Sequence, residues 1–335
     1  MDISDFRCYL VTRDENKQVT NAIAKQGIDD LLPGEVLIRA AYSSLNYKDA
    51  LAATGHPGVV RNFPHVPGID VAGTVEHSGV SDFAAGDKVL VTGFDLGAAS
   101  WGGYSEFVRV PAGWVVRLPE GLTLRESMIL GTAGFTAAQS VQALLHNEVG
   151  PEDGEVLVTG ASGGVGSMAV AMLAKLGFKV VAATGKPEGV ELVEKLGATR
   201  VIGRDELVDS SSRPLLSAKW TGVIDTVGGD VLATAIRSTD IGGCVTACGM
   251  VAGNDLSLSV FPFILRGVTL AGIDSANCAI EKRPELWANM AGPWRPTDLE
   301  SMVAETVTLD ALNPAIEKIL KAQVAGRTLV EIGGE

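Results

Sequence analysis

The segment 160–166 carries glycines at intervals of three, which lets a polypeptide backbone approach a phosphate group closely. It follows the apolar run Val156–Thr159 and precedes Ser167–Leu176 and Lys179–Thr184, which together predict a strand, a helix and a second strand. This order is typical of dinucleotide binding, with the pyrophosphate against the N–H groups that begin the helix. Because the spacing is not the common G-x-G-x-x-G, a tight turn in an ordinary α/β protein is the alternative. The expected contacts come from Ser162, Gly163, Gly164 and Val165.

The end of the second predicted strand indicates which dinucleotide is bound. NAD sites usually carry Asp or Glu there to hold the ribose 2′-OH, whereas residues 182–186 read Ala-Ala-Thr-Gly-Lys. A carboxylate would repel a 2′-phosphate, while a hydroxyl and an ammonium bind it. Arg204 follows the next short apolar run and is expected to close over the same phosphate, although Lys186 and Arg204 could instead be solvated surface charges. The sequence therefore predicts NADPH, held at Thr184, Gly185, Lys186 and Arg204.

The composition is that of a globular α/β protein. The chain has 335 residues, enough for two domains, with 46% hydrophobic residues, 20% charged residues and 40 glycines. Its net charge of −13 argues against nucleic acid or an anionic membrane as partners. The acidic N-terminus lacks the features of a signal peptide, and no apolar stretch approaches membrane-spanning length without charges or turn residues. We therefore expect a cytoplasmic protein.

The pattern of apolar runs changes near residue 125. Residues 1–125 are predicted to form a β-rich domain with strands Val36–Tyr42, Val71–Glu76, Lys88–Thr92, Glu106–Val110 and Val115–Leu118. From 126 to 270, helices alternate with buried strands, which predicts a doubly wound parallel sheet whose later strands are Gly222–Gly228, Cys244–Gly249 and Val268–Ile273. Loops 226–229 and 249–253 are expected to face the nicotinamide, because ligands bind at the carboxyl ends of such strands. Residues 271–335 are predicted to return to the first domain.

Ordered motifs along nearly the whole chain resemble the medium-chain dehydrogenase/reductase superfamily, in its zinc-free quinone-oxidoreductase branch. Within that branch the chain is similar to the NADPH-dependent acryloyl-CoA reductases. The motifs are Ser44–Asp49, Pro67–Gly73, Trp101–Gly103, Gly131–Ala137, Gly160–Gly166, Asp225–Gly228, Pro262–Gly267 and Gly326–Val330. The resemblance implies a GroES-like catalytic domain, an inserted Rossmann domain and a homodimer. It also implies that Met250, Ile264 and Ser275 touch the nicotinamide or its ribose, mostly through backbone atoms.

A zinc site is not expected. Zinc alcohol dehydrogenases carry Cys or His at the positions corresponding to Asn46 and Ile69, and a four-cysteine lobe after the core of the first domain. Asn is a poor zinc ligand and Ile is none, and no cysteine lies between Cys8 and Cys244. We therefore predict no metal ion, and we expect the four cysteines to be buried, reduced thiols.

An enzyme without a Lewis acid can still reduce an activated alkene, whereas oxidation of a plain alcohol is not favoured. Hydride addition at the β-carbon of an unsaturated thioester or ketone leaves an enolate, which N–H or O–H donors stabilise before the α-carbon is protonated. Tyr47 is predicted to lie beside the nicotinamide, and the alternative is an ordinary aromatic residue of the domain interface. Asn46 is the second candidate catalytic residue. Asp49 is interpreted as a helix cap, and Asp70 and Arg327 are interpreted as structural residues.

The resemblance implies reduction of acryloyl-CoA to propanoyl-CoA with NADPH, so that the partner is a small enoyl thioester or enone. Two alternatives stay open at this point. One is a quinone or enone oxidoreductase that uses NADPH, and the other is an NADPH-binding sensor that catalyses no reaction.

Overall fold

A computed structural model describes residues 5–185 and 187–334 of the chain. The strands are β1 Asp5–Arg13, β2 Val19–Gly27, β3 Val36–Leu45, β4 Asp70–Ser78, β5 Lys88–Thr92, β6 Phe107–Val110, β7 Val116–Arg117, β8 Glu155–Val158, β9 Lys179–Ala183, β10 Arg200–Ile202, β11 Trp220–Asp225, β12 Thr239–Ala247, β13 Thr269–Gly272, β14 Val303–Thr308 and β15 Arg327–Glu331. The helices are α1 Tyr47–Ala53, α2 Leu124–His146, α3 Gly164–Lys175, α4 Pro187–Lys195, α5 Gly229–Arg237, α6 Phe261–Arg266, α7 Arg283–Ala291 and α8 Leu312–Leu320.

The chain divides into two units. The first contains residues up to 132, residues 276–288 and residues from 299 onward, and the second contains 133–275 and 289–298. The sequence predicts boundaries at 125 and 270 and a return to the first domain over the whole of 271–335. In the structure the boundaries fall at 132 and 275, and residues 289–298 lie with the second unit.

The first unit is built on a seven-stranded sheet in the order β14-β15-β3-β4-β5-β7, with β6 also paired to β3. Strand β3 is its most buried element, with nine of ten side chains inside the core. Strands β1 and β2 form a separate antiparallel hairpin, from which Phe6 and Tyr9 pack into a core that also contains Leu312 and Ile316 of α8. The pattern of residues 1–27 does not predict this hairpin, because β2 is only half-buried and carries polar residues along its length.

The second unit is built on a six-stranded parallel sheet in the order β10-β9-β8-β11-β12-β13. Counted along the chain from β8, this is the 3-2-1-4-5-6 order of doubly wound dinucleotide-binding sheets. The order reverses between β8 and β11, so the carboxyl ends of these two strands form the crevice in which such sheets bind ligands. Buried apolar runs such as Val180–Ala183 are typical of parallel strands that are covered on both faces.

Helix α3 begins at Gly164 rather than at the predicted Ser167. Gly166 lies in its first turn, where a Cβ would collide with the backbone of Gly160 and Ala161. The glycine segment is therefore partly loop and partly helix. Strand β12 also begins earlier than predicted, at Thr239 rather than Cys244, because residues 240–242, Asp-Ile-Gly, are exposed and form no continuous apolar run.

Helix α2 has the length and apolar composition of a membrane span, but 72% of its most apolar stretch is buried inside the structure, as in a core helix. The helix is broken at Gly131, where φ is 50° and ψ is −156°. A Cβ at this position would lie 2.6 Å from Oδ2 of Asp70 and 2.9 Å from Oγ of Ser44. Both the backbone conformation and the close approach therefore require glycine.

Candidate functional site

The loop between β8 and α3 lies where the strand order reverses. Oγ1 of Thr159 donates to Oδ1 of Asp225 at 2.7 Å and accepts from the backbone N–H of Thr226 at 3.0 Å. These bonds connect the ends of β8 and β11. The N-cap of α3, Gly163, provides no side-chain hydrogen bond, so the N–H groups of the first turn can bind an anion. The loop and the helix start therefore fit the pyrophosphate of a dinucleotide.

Two hydroxyl groups and a guanidinium group, from the loops that follow β8, β9 and β10, meet at the carboxyl end of β9. Oγ of Ser162 and Oγ1 of Thr184 lie 2.8 Å apart and form a hydrogen bond. The side chain of Arg204 lies against Gly185. A Cβ added to that glycine would be only 2.9 Å from Nε of the arginine. Arg204 is exposed, and Lys186 lies outside the described residues. A hydroxyl pair beside a guanidinium suits a phosphate group, which accepts hydrogen bonds and carries negative charge.

The loops that follow β11 and β12 contact each other. Gly228 and Gly253 form an isolated parallel bridge, and the backbone N–H of Ala252 donates to the carbonyl of Val227 at 2.9 Å. Among the three residues that the resemblance places at the nicotinamide, Met250 and Ile264 are highly exposed and Ser275 is half-buried. Their contact with a nicotinamide stays a prediction.

The two candidate catalytic residues lie at the start of α1, in the first unit. Asn46 is the N-cap of the helix and Tyr47 is its first residue, with 49% of its surface exposed. Oδ2 of Asp49 accepts the backbone N–H of Asn46 at 2.8 Å, and its Oδ1 accepts those of Gly68 at 3.1 Å and Ile69 at 2.8 Å. Asp49 therefore caps α1 and also connects it to the loop that precedes β4.

The carboxylate of Asp70 accepts hydrogen bonds from several groups in the core of the first unit. Its Oδ2 accepts from Oγ of Ser44 at 2.5 Å and from Nδ2 of Asn46 at 2.8 Å. Thr132 donates to the same carboxylate through its backbone N–H at 3.0 Å and through Oγ1 at 2.6 Å. Since buried charges need such partners, this network keeps Asp70 in place beside α1 and the break in α2.

The guanidinium of Arg327 lies beside the same network. Its Nη1 donates to Oδ1 of Asn46 at 3.2 Å, and its Nε donates to the carbonyl of Ile129 at 3.0 Å. Its Nη2 is buried without a partner among the described residues. The Asn46 amide thus donates to a carboxylate on one side and accepts from a guanidinium on the other.

Burial dominates the electrostatics of this network. It raises the pKa of Asp49 to about 7, and the nearby charge of Asp70 acts in the same direction. Burial also lowers the pKa of Arg327, although the charge of Asp70 opposes this shift, and it raises the pKa of the Tyr104 phenol well above its ordinary value. The hydroxyl of Tyr104 donates to the carbonyl of Ser44 at 3.2 Å.

The structure brings together some of the residues singled out by sequence and not others. At the end of β9 it assembles Ser162, Thr184, Gly185 and Arg204. It places Tyr47 in the first unit and Met250, Ile264 and Ser275 in the second. Sequence reasoning missed three members of the buried network, namely Ser44, Tyr104 and Thr132. Two of them, Ser44 and Thr132, lie in motifs that carry the resemblance, which was the available signal.

Within residues 5–185 and 187–334, no group of three or more His, Cys, Asp or Glu side chains is arranged to hold a metal ion. Asn46 is bonded to Asp70 and Arg327, and Ile69 is buried. The cysteines are free thiols, buried at Cys8, Cys244 and Cys278 and half-buried at Cys248.

Two protein families match this chain. The family described as alcohol dehydrogenase GroES-like domain matches residues 32–120, and the family described as zinc-binding dehydrogenase matches residues 164–292. Acrylyl-CoA reductase AcuI of Ruegeria pomeroyi is 45% identical over 328 residues, which cover 98% of this chain and 99% of the relative.

Solved structures of similar proteins contain dinucleotides. The yhdH oxidoreductase from Salmonella enterica, in complex with NADP, has a TM-score of 0.94 at 44% identity and covers 97% of this chain and 99% of its own. The Bacillus subtilis protein yhfP, with NAD bound, has a TM-score of 0.95 at 41% identity, with 98% and 99% covered. The chain therefore belongs to the medium-chain dehydrogenase/reductase superfamily, with a GroES-like domain in its first unit and a Rossmann-type sheet in its second.

Proposed function

We propose that the protein reduces the carbon–carbon double bond of acryloyl-CoA to give propanoyl-CoA, with NADPH as the reductant. The likeness to an acrylyl-CoA reductase over nearly the full length of both chains supports the substrate. The substrate is accordingly a small enoyl thioester, an electron-poor alkene that accepts hydride without a metal ion. An alkene of this class needs donors near its carbonyl oxygen, because that oxygen gains charge in the reaction.

The observation that carries the cofactor assignment is the end of β9. Ser162 and Thr184 form a hydroxyl pair there, Arg204 lies across the next residue, and residues 182–185 include no carboxylate. These groups favour a phosphorylated ribose over a plain one. The similar proteins solved with NADP or NADPH support this choice.

In this proposal the residues of the chain hold and orient the reactants. The glycine loop, with Ser162, Gly163, Gly164 and Val165, holds the pyrophosphate, and Lys186 joins Thr184, Gly185 and Arg204 at the 2′-phosphate. Met250, Ile264 and Ser275 border the nicotinamide, as the resemblance implies. NADPH held by these residues would supply the hydride that the β-carbon of the alkene accepts.

Tyr47 is proposed as the catalytic residue beside the reacting atoms. When the β-carbon gains hydride, the π electrons move to the thioester oxygen as an enolate, and a proton is then added at the α-carbon. The Tyr47 hydroxyl can donate a hydrogen bond to that oxygen or pass on a proton from water. We expect Tyr47→Phe to lower kcat by about tenfold or more, the usual range for loss of such a donor, without loss of folding. Unchanged kinetics would show that the hydroxyl is not needed.

The test of the reaction follows the absorbance of reduced nicotinamide with NADPH or NADH and with acryloyl-CoA, crotonyl-CoA or a benzoquinone. Preferential oxidation of NADPH by acryloyl-CoA supports the proposal. Faster oxidation by the quinone would replace it with a quinone oxidoreductase, and binding of NADPH without oxidation by any acceptor would indicate a sensor. Product analysis by mass spectrometry should show propanoyl-CoA in amounts equal to the NADPH consumed.

We further propose that the enzyme works in the cytoplasm as a homodimer. The resemblance to the superfamily and the likeness to relatives over nearly the full chain support this proposal. The large apolar side chains exposed in the second unit, among them Ile241, Val251 and Leu265, support a partner surface.

A further inference from the structure

The start of α1 is held from two sides by residues of opposite charge. Asp70 belongs to β4 and Arg327 to β15, and both strands pair with β3, which leads directly into Asn46. Nδ2 of Asn46 donates to Asp70 at 2.8 Å, and Oδ1 of the same amide accepts from Arg327 at 3.2 Å. The amide has only one orientation that satisfies both neighbours, because a carboxylate cannot donate and a guanidinium cannot accept.

This arrangement changes the interpretation of Asn46. Its carbonyl oxygen and its amide nitrogen are both bound to buried groups of the protein, with further contacts of the nitrogen to Asp49 at 3.2 Å and Ser44 at 3.4 Å. A side chain occupied in this way has no free group for a substrate. Its role follows instead from its place in the chain, as the residue that precedes Tyr47.

Tyr47 has no comparable anchor of its own. Its side chain is half exposed, and no hydrogen bond to its hydroxyl is found among the described residues. The direction of its Cα–Cβ bond therefore depends on the backbone at the start of α1. That backbone is held by the Asp49 cap and by the Asn46 side chain.

We propose that Arg327 and Asp70 are positioning residues that act on Tyr47 through Asn46. The inference rests on the proposed function in assigning catalysis to Tyr47, whereas the orientation of the tyrosine can be measured without it. Within the described part of the chain, Asp70 and Arg327 form no direct ion pair; each is a buried charged residue that hydrogen-bonds the Asn46 amide between them. Because buried charged groups need such partners, the two residues hold the amide, and with it the start of the helix, in one arrangement.

The first experiment measures the environment of Tyr47 directly. The protein is labelled with fluorotyrosine at its four tyrosines, and the ¹⁹F resonance of Tyr47 is identified by its loss in Tyr47→Phe. Arg327→Lys and Asn46→Ala should shift or broaden the Tyr47 resonance and leave that of Tyr9 unchanged. Arg39→Lys is the matched control, since Arg39 lies on β3 and forms an exposed ion pair with Glu76.

The second experiment is a double-mutant cycle with the turnover assay. Arg327→Lys should lower kcat about tenfold with little change in KM, and the same change in a Tyr47→Phe background should have an effect below about twofold. Asn46→Ala, which leaves both buried charges in place, should follow the same pattern if Arg327→Lys folds poorly.

Three results would overturn the inference: an unchanged Tyr47 resonance in both variants, an equal disturbance of all four tyrosines, or an equal loss of kcat in both backgrounds. If the wild-type protein does not oxidise NADPH with acryloyl-CoA, the proposed function fails. The ¹⁹F experiment then still decides whether Arg327 positions Tyr47.

Discussion

At the scale of single residues, the proposed preference for NADPH depends on groups that recognise one phosphate group. An exposed cation such as Arg204 gains little from a surface carboxylate, because water screens the pair. A phosphate monoester carries a larger charge and three acceptor oxygens. The hydroxyl groups of Ser162 and Thr184, which lie 2.8 Å apart, are expected to donate further hydrogen bonds to it. The preference for NADPH is therefore expected to be divided among several side chains.

The first prediction concerns Arg204 and Lys186, the two cations proposed to bind the 2′-phosphate. Arg204→Ala and Lys186→Ala, alone or together, should raise KM for NADPH about tenfold and KM for NADH less than twofold, since only NADPH carries the lost contact. Initial rates measured against each cofactor test this.

The matched control is Arg200→Ala, because Arg200 lies in the neighbouring strand β10 and its guanidinium is bonded to Glu155 at 2.7 Å. It should leave the ratio of the two KM values unchanged. Equal effects of the Arg204 and Lys186 variants on both cofactors would show that neither cation binds the 2′-phosphate.

The second prediction concerns Asp49, whose pKa is raised by burial from 3.8 to about 7. Between these values the folded state retains a proton that the unfolded state releases. The free energy of unfolding therefore falls as the pH rises, by up to about 1.4 kcal/mol per pH unit from this group. Above pH 7 the contribution is constant. Asp49→Asn lacks this titration, so the wild type should lose stability relative to the variant between about pH 4.5 and pH 7.

Urea unfolding of the wild type and of Asp49→Asn between about pH 4.5 and pH 7 measures the difference between their free energies of unfolding. The other titrating groups are common to both proteins, so their contributions cancel in this difference. Asp30→Asn serves as the control, because Asp30 is exposed and caps only a short turn through Gly27. A difference between wild type and Asp49→Asn that is independent of pH would contradict the raised pKa.

At the scale of elements, the break in α2 connects the helix to the buried network. In a continuous helix the backbone N–H of Thr132 would point along the helix axis. The φ of 50° at Gly131 interrupts the helix, and this N–H donates to Asp70 instead. The same turn leaves the carbonyl of Ile129 free to accept the hydrogen bond from Arg327. The break in α2 thus provides two hydrogen bonds to the buried network. One is accepted by Asp70 and the other is donated by Arg327.

The third prediction follows from this break. Gly131→Ala places a Cβ 2.6 Å from Oδ2 of Asp70 at a positive φ, so we expect the free energy of unfolding to fall by about 3 kcal/mol. Chemical denaturation of the purified variant measures this loss. Gly113→Ala, at a glycine with no atom within 4 Å of the added Cβ, should change stability by less than about 0.5 kcal/mol. Similar losses in both variants would mean that Gly131 is not under special constraint.

At the scale of the whole molecule, an acidic protein binds an anionic cofactor. The net charge of −13 repels NADPH at long range, so binding depends on local positive potential at a helix start and at a few cations. The same charge keeps the protein from associating without a specific surface. Exposed apolar side chains between residues 241 and 265 supply a candidate for such a surface.

The fourth prediction is therefore a homodimer in solution. Light scattering during gel filtration should give twice the chain mass of 34.8 kDa across a range of concentrations. Because apolar contacts depend little on ionic strength, the mass should persist at high salt. A constant mass of 34.8 kDa would exclude the dimer.

The strand–loop–helix–strand segment that begins the sheet of the second unit could be predicted from the sequence, because its parts are contiguous. Strand β8, the glycine segment, α3 and β9 lie within 155–183, and the alternation of strands with helices predicts a parallel sheet, although its strand order is seen only in the structure. The missing carboxylate at 182–185 is equally local. The start of α3 was displaced in the prediction, because the sequence does not show that Gly166 packs against Gly160 inside the first helical turn.

Only the tertiary structure decided the role of the residues around Asn46. Thr132 follows Asp70 by 62 residues and Arg327 follows Asn46 by 281 residues, and each is an ordinary polar residue in its own segment. Strand pairing and the break in α2 place them around one amide. Local sequence thus specifies the backbone that binds a phosphate, since N–H groups come with any helix start. The partners of a buried charge depend instead on which distant strands meet, because burial and not sequence spacing determines which partners a charge needs.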